Sequence, residues 1–542
     1  MSDNRVSRRS RLIASLLTVL ISVAWLAPNT AAATDYASAT QALQQGVRYE
    51  RERQWLKALE IYEQSLKRWP EHADLQYGLR RAKTHFAIQQ RYTDRSFRRE
   101  LLTLPKSEAL DLLDVVLERV QRNYVKPVSV GSFVAHGTES LYLALTNDHF
   151  LRYLPATATR DRIETFRRHL SKTYWNYPLH DRPSARYLVS RIADEAHTMA
   201  DLPSAMVVME YVFGGFNALD DYSALLSPDR YADLNALIEG ELVGLGVEIK
   251  GETGRGLKLI RVLPDSPARE SGLRAGEFIV AIDGRDCRQM DTGAAADLLR
   301  GRQGTPVRIR VENPQLGTER DVVVVRRRVH VRSIPVARML DPRNGIAYIR
   351  MTAFQRETVR ELDAALEDLH RRGMRSLIWD LRGNPGGLLD VAAEVLDRFI
   401  DHGVLVHTAG RSPFERQDFQ AHAAGTWKIP LVVLIDGHSA SASEIVAGAI
   451  RDLNRGTLVG RPSYGKWSVQ SIYRLGGGLG MRLTTAWFYT PDGHRYPKTG
   501  IRPHVLVDAE DELVLDDSLT GLLQDPDIVR SLEILRRDFA QR

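Results

Sequence analysis

The spacing of apolar residues changes character repeatedly along the chain. Residues 12–27, "LIASLLTVLISVAWLA", form an unbroken apolar run after the basic stretch "MSDNRVSRRSR" and before "NTAAATD". From about residue 42 to 235 the period is helical. Trp55, Ala58, Leu59 and Tyr62 share one helical face, and residues 109–125 repeat apolar positions at helical spacing. Ser227-Pro228 is a helix start with proline at the first position. Around Gly244 the period drops to two. "LVGLGVEIK" and "GLKLIRVLPDSPARESGLRAGEFIVAIDGRD" alternate like strands joined by glycine turns. From Asn344 strands and helices take turns: "GIAYIRM", "ETVRELDAALEDLHRRG", "SLIWDLRGNPGG", "LLDVAAEVLDRFI", "PLVVLID", "SASEIVAGAIRDL", "GTLVG" and "LGMRLTTAWFYTP". This order predicts a multidomain α/β protein, with an α-helical N-terminal region and a β-rich module ahead of an α/β core. The polar stretch "HDRPSARYL" at 180–188 reads as an insertion among the helices.

The 542 residues, 43% hydrophobic and 26% charged, are enough for several globular cores. The basic start, the short apolar run and the A-x-A site at Ala31–Ala33 make the three parts of a secretory signal over residues 1–33. An uncleaved membrane anchor is the competing reading of the same run. Either places the protein outside the cytoplasm: exported, periplasmic or membrane-associated on the outer side of the inner membrane. The first 33 residues hold four arginines against one aspartate, a net +3 of the chain's +6. The remainder is too weakly basic to indicate nucleic acid. The single cysteine, Cys287, excludes an intramolecular disulfide and any cysteine-based zinc cluster.

Gly46, Tyr49, Ala58, Tyr62 and Pro70 stand at the small, aromatic, small, aromatic and proline positions of a tetratricopeptide repeat. One unit is clear, within a helical region over 34–100, and a plain helical hairpin is the alternative. A second helical region covers 101–238. Residues 239–328 resemble a PDZ domain through Gly244-Leu245-Gly246-Val247, "VLPDSPARESGLRAGEFIVAIDG" and "LLRGRQGTPV". In such a module the backbone N–H groups of the glycine-bent loop cradle a peptide carboxylate, and the peptide adds a strand to the sheet. The α/β core spans 329–510, and a helical tail 511–542.

The chemistry concentrates in "DGHSASASEIVAG", residues 436–448. Ser441-Ala-Ser-Glu444 fits the capping box that starts many helices. Gly437-His-Ser439-Ala-Ser441 falls one residue short of a nucleophile elbow. The residues alone leave three readings open: a helix start, a Ser439 nucleophile with His438 as base, or a Ser441 nucleophile with a base elsewhere.

The chain resembles the carboxy-terminal processing peptidases, also called tail-specific proteases. Over about residues 105–510 it carries, in order, "LSP", the PDZ-like module, "DLRGNPGGLLD", "SASASEI", "GRPSYGKWSVQ" and "LTTAWFYTPDG". The resemblance implies a serine endopeptidase with Ser441 as nucleophile, Lys466 as base and Gln470 as its neutral support. It implies oxyanion donors from the N–H of Ala442 and of a glycine in "NPGG", Gly387 ahead of Gly386. Asp452 matches a recurrent aspartate with a structural role near a helix end. Substrates would be proteins held by their C-termini in the Gly244–Val247 loop. An adaptor or activator would dock on the N-terminal repeat, and neither cofactor nor metal is called for.

The physics is consistent with that assignment. A serine hydroxyl is a poor nucleophile until a base takes its proton. Lysine serves only when neutral, and its ordinary pKa near 10.4 means the site must desolvate it. Tyr464 and Trp467 are rings placed to exclude water from Lys466. A neutral glutamine orients the amine without stabilising the ammonium. Trp467 stands where the family has a second glycine, so the pocket beside the base would be narrowed. The alternative is a catalytically impaired scaffold whose repeat and PDZ-like modules bind peptides.

Overall fold

The structure, a computed structural model, describes residues 36, 38–252, 254–290, 292–509 and 517–541. The predicted export signal lies outside them. Among the described residues no helix is long and apolar enough to cross a membrane. The chain divides into two compact units. One holds residues up to Asp229 with His407–Asp418 and Ser468–Phe488; the other holds Arg230–Val406, Phe419–Trp467 and Tyr489–Arg542.

The first unit is mostly helical. Helices Ala39–Arg51, Trp55–Arg68 and Ala73–Thr93 pack around Tyr62. Gly46 and Gly78 are glycines because the ring fills their side-chain space: a Cβ on either would meet it at 2.3 or 2.6 Å. The Tyr62 hydroxyl donates to Glu50 (2.7 Å), which Arg81 grips with two nitrogens. Helices Lys106–Asn123, Val130–Ala144, Arg160–Tyr174, Arg182–Ala200 and Ser204–Gly214 build the larger core. The stretch read as a polar insertion is instead the start of the Arg182–Ala200 helix, which Asp181 caps. Leu188, Val189 and Ile192 of that helix are buried, because its polar residues form only the outer face. Strand Gly480–Tyr489 pairs with Ala224–Leu226 and with Ser468–Arg474, and Met481 and Leu483 join the helical core.

The second unit contains the β-rich module and the α/β core. In the module, strands Val247–Glu252, Gly256–Val262, Phe278–Ile282, Pro306–Asn313 and Thr318–Val325 lie side by side in that order, antiparallel throughout. Leu257, Leu259, Ile279, Ile309 and Val311 fill its core. The α/β core is a sheet ordered Val336–Asp341, Ile346–Arg350, Ser376–Asp380, Leu431–Ile435, Thr457–Gly460, Val505–Leu506. The first pair is antiparallel and the rest parallel. The central strands Ile346–Arg350, Ser376–Asp380 and Leu431–Ile435 are buried on both faces, which is why they read as continuous apolar runs. The C-terminal helix Pro526–Gln541 is no loose tail: Ile528, Leu532 and Leu535 pack with Ile346, Ile378, Val432 and Val459. Arg382 binds it through Asp525 (2.8 Å) and Asp527 (2.7 Å) while also pairing with buried Asp380.

Candidate active site

Three neighbouring parallel strands of the second unit end side by side, and each feeds one part of the site. Ser376–Asp380 leads into "LRGNPGG", Leu431–Ile435 into "DGHSAS", and Thr457–Gly460 into "RPSYGK". The carboxyl ends of parallel strands are where such folds place their chemistry.

Backbone and side-chain bonds tie the first two loops together. Asp436 accepts from the N–H groups of Gly383 (3.0 Å), His438 (3.0 Å) and Ser439 (2.9 Å). The carbonyl of Asn384 accepts from Ala440 N–H (3.1 Å) and from the Ser443 hydroxyl (2.9 Å). Ser439 is committed to this framework: its Oγ donates to Leu381 O (2.8 Å) and accepts from Asp436 N–H (3.0 Å).

Ser441 differs. It sits between strand and helix at φ 53°, ψ −110°, a strained conformation for a residue with a side chain. It precedes the helix Ala442–Asp452, and its carbonyl accepts from Glu444 and Ile445 N–H. The predicted capping box is present, with Ser441 and Glu444 facing each other at the helix start. The Glu444 carboxylate takes the Ser441 N–H (2.9 Å), but the Ser441 hydroxyl, 1% exposed, has no hydrogen-bond partner. The hydroxyl takes its capping-box position facing the Glu444 N–H but makes no full hydrogen bond there.

Glu444 does more than begin a helix. One oxygen accepts from Ser463 Oγ (2.7 Å) and Gly465 N–H (2.7 Å); the other accepts from Ser441 N–H and Lys466 N–H (2.8 Å). A single carboxylate oxygen thus fixes the backbones of Ser441 and Lys466 next to each other. The sequence shows Glu444 as an S-x-x-E partner; its second set of partners, some twenty residues downstream, has no local signature. Burial pushes its carboxyl up to about 7, against the lowering effect of those four donors. The sign follows. Between the ordinary 4.5 and about 7 the folded chain binds a proton that the unfolded chain has released. Stability therefore falls as pH rises through that window, by about 3 kcal/mol from this group at 1.36 per pH unit. Urea unfolding at pH 5, 6 and 8 is expected to show this decline in the native chain and a flatter profile in Glu444→Gln.

Lys466 is 2% exposed. Trp467 is buried too, its ring meeting Tyr496 edge-on at 5.4 Å, and Arg451 donates to the Tyr496 hydroxyl. The expectation for Tyr464 fails: it is 53% exposed, whereas Trp467 is buried. The turn at Gly465, φ 93° and packed against the Lys498 backbone, directs the Tyr464 ring to solvent while the lysine goes inward.

Ala442 is the first residue of its helix, so its N–H has no carbonyl one turn behind it. The N–H of Gly386 is already given to Asn384 Oδ1 (2.8 Å). Gly387 lies at φ 154° against Phe354, whose carbonyl oxygen a Cβ would approach to 2.1 Å. Gly387→Ala is expected to destabilise the fold by at least about 2 kcal/mol, from strain and clash together. The alanine keeps its N–H but the clash displaces it, so turnover should fall as well. Thermal unfolding and steady-state kinetics on the same preparation read both.

Gln470 belongs to the first unit, on strand Ser468–Arg474. It is fully buried, and its Nε2 donates to Ser468 Oγ (2.8 Å) and Thr484 Oγ1 (3.3 Å). In the β-rich module, Gly244 ends the strand Glu241–Gly244, Gly246 takes φ 77°, and Val247 opens an edge strand. Leu245 is buried, its carbonyl bound by Ala268 N–H (2.9 Å), which holds the loop's shape. Asp452, at the other end of the serine helix, accepts from Asp492 N–H (3.2 Å).

The model of peptidase family S41 matches residues 345–507, and that of the PDZ domain matches 260–313. The carboxy-terminal-processing protease of Bartonella bacilliformis is 36% identical over 313 residues, 57% of this chain and 71% of that one. The carboxyl-terminal-processing protease of Picosynechococcus sp. is 36% identical over 324 residues, 59% and 77%. That of Synechocystis sp. is 35% identical over 294 residues, 53% and 68%. Fold and family together define a serine-type peptidase with a PDZ domain. The chain belongs to the carboxy-terminal-processing protease family.

Proposed function

We propose that this protein is an exported endopeptidase that cuts proteins near their C-termini with a Ser441–Lys466 dyad. The observation that carries the reading is the shared Glu444 oxygen, which binds Ser441 N–H and Lys466 N–H while the Ser441 hydroxyl keeps no structural partner. Lys466 in its neutral form takes the Ser441 proton as Oγ attacks the scissile carbonyl. The N–H groups of Ala442 and Gly387 receive the developing oxyanion. The ammonium then protonates the leaving amine, and water, deprotonated by the same amine, releases the acyl group. For Gln470 the role of neutral support rests on the resemblance in sequence alone. The PDZ loop Gly244–Val247 takes the substrate carboxylate, its edge strand pairs with the peptide, and the domain gates access. The signal-like residues 1–33 support export, and the helices over 39–93 serve an adaptor or activator.

Incubation of the purified chain with an unfolded protein at mildly alkaline pH tests this. Cleavage is expected, and it should slow when the substrate's C-terminal carboxylate is amidated. Persistent inertness with peptide binding intact would contradict it and favour the scaffold reading.

A further inference from the structure

Asn384 bonds to the loops on either side of its own. It follows the strand Ser376–Asp380, which lies between Ile346–Arg350 and Leu431–Ile435 in the sheet of the second unit. Toward the first of these, its Nδ2 donates to Met351 O (2.9 Å). Toward the second, its carbonyl takes the Ala440 N–H and the Ser443 hydroxyl, the two residues that flank Ser441 and Ala442. Its Oδ1 accepts from Gly386 N–H (2.8 Å). The side chain is fully buried, and both ends of its amide are in use.

These bonds determine which donor the turn has left. Pro385 carries no N–H. The N–H of Asn384 goes to Leu381 O (3.2 Å), and that of Gly386 to Asn384 Oδ1. Phe354 pairs with Gly387 in a short parallel bridge: its N–H donates to Gly386 O (3.0 Å), and its carbonyl accepts from Leu388 N–H (2.8 Å). Gly386 C=O and Gly387 N–H belong to one trans peptide unit, so they point in opposite directions. With the carbonyl turned to Phe354, the Gly387 N–H faces away from it. The sheet order puts the serine loop on that other side of the turn. No described residue accepts a hydrogen bond from this N–H. Two adjacent glycines have no side chains to restrict their own rotation. The capture of Gly386 N–H by the side chain two residues back is the Asx-turn that restricts it.

We propose that Asn384 is a positioning residue for the peptidase reaction, holding the Gly386–Gly387 peptide so that the Gly387 N–H stays the unspent donor on the serine side of the turn. This rests on the reading of Gly387 N–H as an oxyanion donor. A donor fixed beforehand needs no rearrangement as charge develops on the scissile carbonyl oxygen. Without the Asn384 amide the glycine pair rotates, and the donor is in place in only part of the population.

The test uses the full-length enzyme. Asn384→Ala removes both amide bonds and is expected to lower kcat about tenfold to a hundredfold with KM unchanged, short of the complete loss of a donor. Asn384→Ser keeps a short acceptor for the Gly386 N–H and should recover part of the rate. The readout that a merely structural role would not move is a pair of ligands built on a cleaved peptide, one ending in an aldehyde and one in the matching alcohol. Ser441 Oγ bonds to the aldehyde carbon, its proton passes to Lys466, and the carbonyl electron pair becomes an oxyanion. The alcohol cannot add. Aldehyde affinity should fall by the same factor as kcat, while alcohol affinity stays within about twofold. A fall in kcat with aldehyde affinity intact, or native kcat in folded Asn384→Ala, would overturn the role of Asn384. Where Asn384→Ala fails to fold, the aldehyde-to-alcohol affinity ratio in Asn384→Ser decides: a reduced ratio supports the role and an unchanged one overturns it. A native enzyme that binds the aldehyde no more tightly than the alcohol would instead remove the oxyanion reading beneath it.

Discussion

Ser441→Ala is expected to lower kcat by at least about a thousandfold, with the fold and peptide binding retained. The hydroxyl removed makes no hydrogen bond in the structure, so its loss orphans no partner and opens only a small space. Urea midpoints of the variant and the native chain should agree closely. Ser439→Ala is the contrast. That hydroxyl bridges Leu381 O and Asp436 N–H, which join two of the loops that build the site. Its removal is expected to cost roughly 1–3 kcal/mol of stability, with chemistry persisting in the fraction that stays folded. Two serines two residues apart thus have opposite signatures, one in rate and the other in stability.

Lys466→Ala should match Ser441→Ala in its effect on kcat, because nucleophile and base act as one unit and their losses do not add. The double variant is expected to be no slower than either single one. Lys466→Arg sharpens the test. Arginine keeps the positive charge and most of the length but does not lose its proton in proteins. If Lys466 worked through its charge, the arginine variant would retain activity. A base must surrender its proton first, so Lys466→Arg is expected to be as inactive as Lys466→Ala at every pH. The main-chain bond from residue 466 to Glu444 survives both substitutions, which keeps the loop in place while the amine is removed.

Much of this was legible in the chain itself, and for identifiable reasons. The strands Ser376–Asp380 and Leu431–Ile435 announce themselves as apolar runs because both their faces are covered. Ser441, Ala442, Gly387 and Lys466 fall in short motifs at strand ends, where local spacing and parallel topology say the same thing. What was not legible depends on long-range pairing. Glu444 reads as a capping residue, yet two of its partners are the main-chain N–H groups of Gly465 and Lys466. Nothing in "SASE" predicts a buried bridge to a loop beyond the next strand. The Ser441 hydroxyl takes the capping-box position the sequence predicts, but it does so without a full hydrogen bond and on a backbone conformation that no propensity foretells. Tyr464 looked like a water-excluding ring, but which side of a glycine turn a neighbour faces is settled by packing, here at Gly465 against Lys498. The residues 180–188 looked like an insertion because an amphipathic helix starting with a polar turn resembles a loop until its buried face appears four residues later.

The covalent intermediate tests the central claim most directly. Turnover of a peptide ester, quenched in acid within the first catalytic cycle and analysed by mass spectrometry of the digested enzyme, reports which side chain carries the acyl group. The expected result is an acyl adduct on Ser441, absent in Lys466→Arg. An adduct on Ser439, or sustained turnover with no acylated serine, would contradict it.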